Sequence, residues 1–571
     1  MRRYIILFLV ILSINLVSCE DLINPKEDNV LSEEQLLFSS IYTEGLLMKA
    51  YTALPNDYYF ETDVASDDAV SNDPASVYRS LAVGNWKATN NPISQWSYAY
   101  ENIFYINKFL SVYENVIWSS DPNLTAEVNV LRNTLHKKRL KGEAYGLRAY
   151  YKWLLLQYHS GVSKGGQLLG FPIIDQYLTP DDNWVLPRNT FAQCVASIFA
   201  DLDVAIANLP KQWVDLPAGG NNGHINATSG ARFNNRINGN TALALKARVA
   251  LLAASPAFSA SSGVTWEQVA TIAGPLLKDL GSLYAKGRVF YAEKSNKEIL
   301  WNRSELQKRT WEQNNFPPSL YGYGRTNPSQ NLVDAFGMKD GYPITVSGSY
   351  DPTKPYTDRD PRFYDYIVYN TSKLKTVAIN TYIDAPSNGI NELLTSTRTG
   401  YYLKKFMSES VKLDPGSSVN SAHNYTLVRM TELLLNYAEA ANEAWGPADD
   451  RNGYGFTAKS LIADLRKRAG IGQPDAYLES ITDAAGLRAL IHNERRIELC
   501  FEGFRFWDIR RWNEVNTMQA PVKAAFITDN AGIYSYTYSN IEERKFDANM
   551  IYGPIPYSET VKYNLEQNQG W

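Results

Sequence analysis

Histidine and cysteine are scarce. The 571 residues include five His and three Cys. No CxxC pair occurs, and no two histidines stand at HxxxH or HExxH spacing. A zinc site needs such clustered nitrogen and sulfur ligands, so the sequence predicts no metal and no cofactor. Other catalytic signatures are missing as well: there is no P-loop and no GxGxxG fingerprint. An excess of charge is also lacking. Lys and Arg number 56 against 60 Asp and Glu, for a formal net charge of −4. A basic field that would draw in nucleic acid is therefore excluded. What the chain has in quantity is rings: 38 Tyr, 21 Phe and 13 Trp, or 13% of all residues. Aromatics beyond the needs of a core often serve binding surfaces. The apolar share, 44%, supports an ample core, and the length allows one large domain or two to three ordinary ones.

The first residues read as a secretory signal. Met1-Arg2-Arg3 is basic, "YIILFLVILSINLV" is apolar, and "LVSC" ends at Cys19. Leu16-Val17-Ser18-Cys19 resembles a bacterial lipobox, which implies a lipoprotein signal peptide over 1–18 and a lipidated Cys19. Several acyl chains on one residue would hold the protein firmly to a membrane. The polar stretch 19–33, "CEDLINPKEDNVLSE", then reads as a flexible tether. With Cys19 used for lipid, Cys194 and Cys500 remain; a disulfide between them is open in an oxidising compartment and is not readable from sequence, and two buried free thiols are the preferred expectation.

From residue 34 onward the pattern is helical. Apolar residues recur at i, i+3 and i+4 over 34–54, 94–117, 124–158, 190–210, 238–256 and the "TWEQVATIAGPLL" segment, and again over 426–444, 460–471 and 487–504. Alanines at close-packing points and aromatic knobs predict a mostly α chain of degenerate tetratricopeptide-like helix pairs, without the strict 34-residue period. Between them, 281–424 is rich in Gly, Pro, Tyr and Asn and predicts a loop-rich insert with short strands. The organisation expected is a single domain over 34–571, with helical repeats at 34–280, the insert, and a returning helical part at 425–571.

Many segments, in order, resemble the SusD/RagB family of Bacteroidetes surface lipoproteins. They are the lipobox Cys19, "GEAYGLRAYYKWLLLQYHSGVSKGG", "INGNTALALKARVALLAASP", "NLVDAFGMKDGYPI", "DRDPRFY", "VRMTELLLNYAEAANEA", "LRKRAGI", "ERRIELCFEGFRFWDIRRW" and the terminal "YGPIPYSETVKYNLEQNQGW". Glu20 and Asp21 after the cysteine are similar to the surface-export signal of such lipoproteins. The resemblance covers essentially the whole chain. It implies a helical repeat scaffold and an outer-membrane location facing the cell exterior. It also implies a SusC-like TonB-dependent transporter as partner, and non-catalytic binding of a nutrient oligomer, most often an oligosaccharide or polysaccharide. The RagB branch implies peptide capture instead. An extracellular glycan hydrolase is the remaining alternative; it would need two carboxylates flanking the scissile bond, and no motif marks such a pair.

Sugar rings stack their C–H faces on flat aromatics and present hydroxyls to amide and charged partners. Two loops offer those groups. "SNDPASVYRSLAVGNWKATNNP" (71–92) supplies Tyr78, Trp86, Asn90 and Asn91. "RTWEQNNFPPSLYGYGRTNPSQN" (309–331) supplies Trp311, Gln313, Asn314, Phe316, Tyr321, Tyr323 and Arg325. Trp86→Ala and Trp311→Ala are expected to weaken binding at nearly unchanged melting temperature. Other conspicuous residues read as structural. Asp67 and Asp68 predict a cap or ionic hook, and Asp340-Gly341 a turn. "DDRNG" (449–453) lacks the bidentate Glu of a calcium loop. In "NERRIELCFEGFRFWDIRRW", a helix to residue 504 would set Glu494, Glu498 and Glu502 one above another. Such a row persists only if cations face it; Arg495, Arg505, Arg466 and Arg468 are the candidates, with Ile497, Phe501 and Phe504 as an adjoining apolar stripe.

Overall fold

Helix starts follow capping chemistry. Thr190 and Thr265 each close a capping box with a Gln three residues on, and Asn238 and Asp483 accept from the first turns of their helices. The computed structural model describes residues 37–571 apart from 59, 294 and 304; the leader, Cys19 and the tether lie outside the described residues. Among the described residues, ten helices build the frame: α1 (Ser40–Ala53), α2 (Trp96–Val112), α3 (Ala126–His159), α4 (Phe191–Asn208), α5 (Gly239–Ala254), α6 (Trp266–Leu280), α7 (Met430–Trp445), α8 (Ala458–Ala469), α9 (Ala484–Glu498) and α10 (Arg505–Arg511).

Each helix from α1 to α7 packs against the next, and α8 and α9 both pack on α7. The stack is therefore continuous across the long insert, because α6 meets α7 directly. Small residues set its spacing. A Cβ on Gly142 of α3 would fall 2.6 Å from Leu209 Cγ, and one on Gly146 would fall 2.7 Å from Ile237 Cδ1. Ala242, Ala247, Ala250 and Ala253 are buried along α5. One hydrophobic cluster runs through the stack, including Ile103, Ile106, Leu147, Leu155, Ile198 and Leu434. The fold is mostly helical with short strands, consistent with degenerate repeats.

The insert carries no helix longer than six residues among the described ones. Two of its strands pair with strands that flank it in the chain. β1 (Ala69–Ser71) runs antiparallel to β3 (Thr326–Pro328), and β2 (Ile299–Asn302) to β4 (Thr426–Arg429). β4 takes the first residues of the segment expected as helix from 426. The β5–β6 hairpin (Val522–Asn530, Ile533–Glu542) follows the last frame helix. A second cluster under the insert gathers Trp311, Phe316, Phe336, Phe363, Tyr366 and Tyr401 with Ile497 and Phe501.

The charged stretch 493–512 is where the two clusters meet, and its helix is shorter than the sequence predicts. α9 ends at Glu498, and Phe501 and Gly503 take left-handed backbone at φ 61° and 81°. Glu502 therefore lies beyond the helix, off the expected row. Two of the expected partners arrive: Arg466 pairs with Glu494 at 2.7 Å and Arg468 with Glu498 at 2.6 Å. Arg495 and Arg505 turn elsewhere, to Asp508 and Asp67. The cations that the local sequence does not reveal come from the insert and its edges. Arg362 bridges Glu494 and Glu498, Arg429 holds Glu298 and Glu502, and Lys405 holds Glu502. Asp67 and Asp68 form the ionic hook, with Arg496 on both and Arg505 on Asp67. Burial alone would raise Asp67; Arg496 and Arg505 bring it down to about 2. Cys194 and Cys500 are buried free thiols, and burial pushes the Cys194 thiol up to about 12.

Candidate functional site

α3 presents Tyr150, Trp153, Leu154, Gln157 and Tyr158 at i, i+3, i+4, i+7 and i+8, a single helical face. That face walls a cleft of about 660 Å³, within the range of small-molecule sites. Gln95 at the N-cap of α2 and Tyr98 within it add to the wall, with Tyr58 and Tyr425 from connecting segments and Tyr78 from the short helix Val77–Ala82. Phe504 and Trp507 close it from the charged stretch, and Tyr158 and Trp507 pack at 4.2 Å between ring centroids. Aromatic faces thus alternate with amides and hydroxyls, among them Thr62, Ser94 and Asn436. Beneath them the ions are locked. Burial works against the Arg248 charge, but Glu432 grips it in a bidentate pair at 2.5 and 2.6 Å and keeps it firmly protonated.

A second aromatic surface lies on the loop after Trp311. Tyr321 is 55% exposed and Tyr323 39%. The Arg325 guanidinium sits 5.4 Å from the Tyr323 ring and pairs with Asp73 at 3.1 Å. The two predicted loops therefore meet: Asn72 N–H donates to Arg325 O, and Asn72 Nδ2 to Tyr323 O. Tyr78, five residues beyond Asp73, lines the cleft. The segment 73–78 thus borders both aromatic surfaces.

The predicted site residues divide sharply. Tyr78 faces the cleft, Asn314, Tyr321 and Tyr323 are exposed, and Arg325 is half-buried beside them. Trp86, Trp311 and Phe316 are corrected to core positions. Trp86 is 2% exposed, donates Nε1–H to Asn91 Oδ1 at 3.0 Å, and lies under Arg510 and against Trp571. Trp311 is 4% exposed, donates to Asp57, and meets His423 edge-on. Phe316 is fully buried. Burial of a large ring contributes more to folding than loop placement can offset. Asn91 is spent on Trp86 and on Ile93 N–H, whereas Asn90 is exposed in a tight turn against Lys87. Sequence reasoning missed Trp153, Tyr158, Tyr98, Phe504 and Trp507. One signal was present: Gln157 interrupts the aromatic stripe of α3, where a purely packing face would stay apolar.

Residues 290–571 match the model of the SusD family, and residues 22–219 match a second model described as starch-binding, associating with outer membrane. Between them the two matches take in most of the sequence, in the order set by the segments above. The chain belongs to the SusD/RagB family. Among curated relatives, SusD-like protein P25 of Formosa agariphila is 24% identical over 263 residues, 42% of this chain. That match takes in 44% of P25, so the chain spans less than half the length of this relative. A SusD-like protein of Bacteroides fragilis superposes with a TM-score of 0.74 at 23% identity, over 95% of this SusD-family chain and 99% of that one. A SusD-like carbohydrate binding protein of the same species gives 0.70 at 22%, over 92% and 98%. At such identities these two speak for the shared fold.

Proposed function

We propose that this SusD-family protein is a surface lipoprotein that captures a nutrient oligosaccharide or polysaccharide and hands it to a SusC-like TonB-dependent transporter in the outer membrane. The cleft walled by Tyr98, Tyr150, Trp153, Tyr158 and Trp507 carries the reading. Its rings suit the apolar faces of pyranoses, and its amides and hydroxyls suit their hydroxyl groups. The exposed Tyr321 and Tyr323 beside segment 73–78 offer a second contact for a longer chain. The carbohydrate-binding description of the Bacteroides fragilis neighbour and the starch-binding description of the second family model support this ligand class. In this reading Cys19 carries the lipid, and residues 19–33 tether the domain to the membrane.

The proposed role is binding without catalysis. Glu432, Glu502 and Asp508 line the cleft, and each is clamped by a guanidinium. A hydrolase needs two carboxylates free to flank one bond, and these three are committed elsewhere. Titration of the full-length protein in mild detergent against a glycan panel tests the reading. Saturable heat with a glycan and no new reducing ends supports it. Released reducing ends overturn it in favour of a hydrolase, and heat with peptides alone overturns it in favour of the RagB-like role. Cys19→Ser is expected to move the protein from the membrane fraction to the soluble one; retention in membranes would remove Cys19 as the anchor.

A further inference from the structure

Among the described residues, seven charged side chains reach the cleft lining, four Arg and three acids, and none is uncommitted. Arg248 is bidentate with Glu432. Arg429 binds Glu298 at 2.8 Å and both oxygens of Glu502 at 2.8 and 2.9 Å, and Lys405 adds a second cation to Glu502 at 2.7 Å. Arg495 grips both oxygens of Asp508, at 3.2 and 3.1 Å, and sends Nη1 to Asn436. Arg511 completes Asp508 from Nε at 2.8 Å and spends its other nitrogens on Glu439 at 2.6 and 2.7 Å. Arg429, Glu432, Arg495, Asp508 and Arg511 are all at least nine-tenths buried.

We infer that the cleft selects an uncharged oligosaccharide and discriminates against uronate-containing and sulfated glycans; the inference rests on the glycan-binding reading above. An anionic sugar entering this space finds no available cation. To make one, a guanidinium would have to leave its carboxylate and strand a buried negative charge beside the ligand, a cost that one new contact does not repay. A cationic sugar meets the mirror-image problem at Glu432, Glu502 and Asp508. A neutral chain meets neither. It stacks on Trp153, Tyr98 and Trp507 and exchanges water for Gln95, Gln157 and Thr62, with every ion pair left in place. The same pairing makes its affinity insensitive to salt, because no charge–charge contact forms between protein and ligand.

Calorimetric titration of the full-length protein in mild detergent decides this. The probes are neutral gluco-, manno-, galacto- and xylo-oligosaccharides beside oligogalacturonate and a sulfated galactan of matched length, each at low and at high NaCl. The expected result is one neutral ligand bound at least about tenfold more tightly than either anionic one. Its Kd should change by less than about twofold between the two salt levels. An anionic glycan bound as tightly as any neutral one, or an affinity that falls steeply with salt, overturns the inference and leaves glycan binding intact. Heat from no glycan overturns the glycan-binding reading and the inference with it.

Discussion

Trp86 and Trp311 are packing residues, so their truncation reports on stability first. Trp86→Ala and Trp311→Ala are each expected to cost about 3–5 kcal/mol and to lower the melting temperature. Tyr321→Ala with Tyr323→Ala removes exposed rings and should leave the melting temperature nearly unchanged while weakening glycan affinity, read by calorimetry. The opposite pattern would return the tryptophans to the binding surface. Asp63 offers a second measurement at this scale. Burial and the nearby Asp68 push its carboxyl up to about 8, against the lowering effect of the Phe501 N–H that it accepts. The folded state therefore holds a proton that the unfolded chain releases near pH 4. This contribution is fully present below about pH 4 and is lost as pH rises toward 8, at up to about 1.4 kcal/mol per pH unit. Asp63→Asn should flatten that loss in a series of melts between pH 5 and 8. Parallel curves for the variant and the parent would contradict the assignment.

At the scale of elements, helix existence was readable from periodicity, and the ends were readable only where a cap announced them. The stop of α9 at Glu498 had no such mark, because it depends on a left-handed Phe501 held by a tertiary contact to Asp63. The row of three glutamates was legible as a demand for cations. Which cations answered was not, since Arg362, Arg429 and Lys405 lie 69 to 136 residues away from the acids they meet. Glu498 is the hinge of this lattice: Arg362, Arg429 and Arg468 converge on it, and despite burial they hold its carboxyl well below the usual range. Glu498→Gln should therefore cost about 3–5 kcal/mol, since it leaves buried cations undercompensated. Chemical denaturation checks this, and an unchanged midpoint would mean that the lattice is dispensable.

For the whole molecule, the helical stack and the loop-rich insert followed from composition and period, and the family from the order of its segments. The cleft did not, because it is a property of how α2, α3 and the charged stretch face one another. Tyr150 and Tyr158 read as core-facing positions, and only the third dimension separates a wall from a core. The stretch 493–512 likewise has two roles: its acids and arginines lock insert to stack, while Phe504 and Trp507 face the cleft. The central claim is that this space binds glycan through its rings. Its direct test is calorimetric titration of Trp153→Ala/Tyr98→Ala beside the parent protein, with a glycan the parent binds and with melting temperatures recorded for both. The account predicts a loss of affinity of about tenfold or more, roughly 1.4 kcal/mol, in a variant that still melts cooperatively. Parental affinity in a folded variant would contradict it.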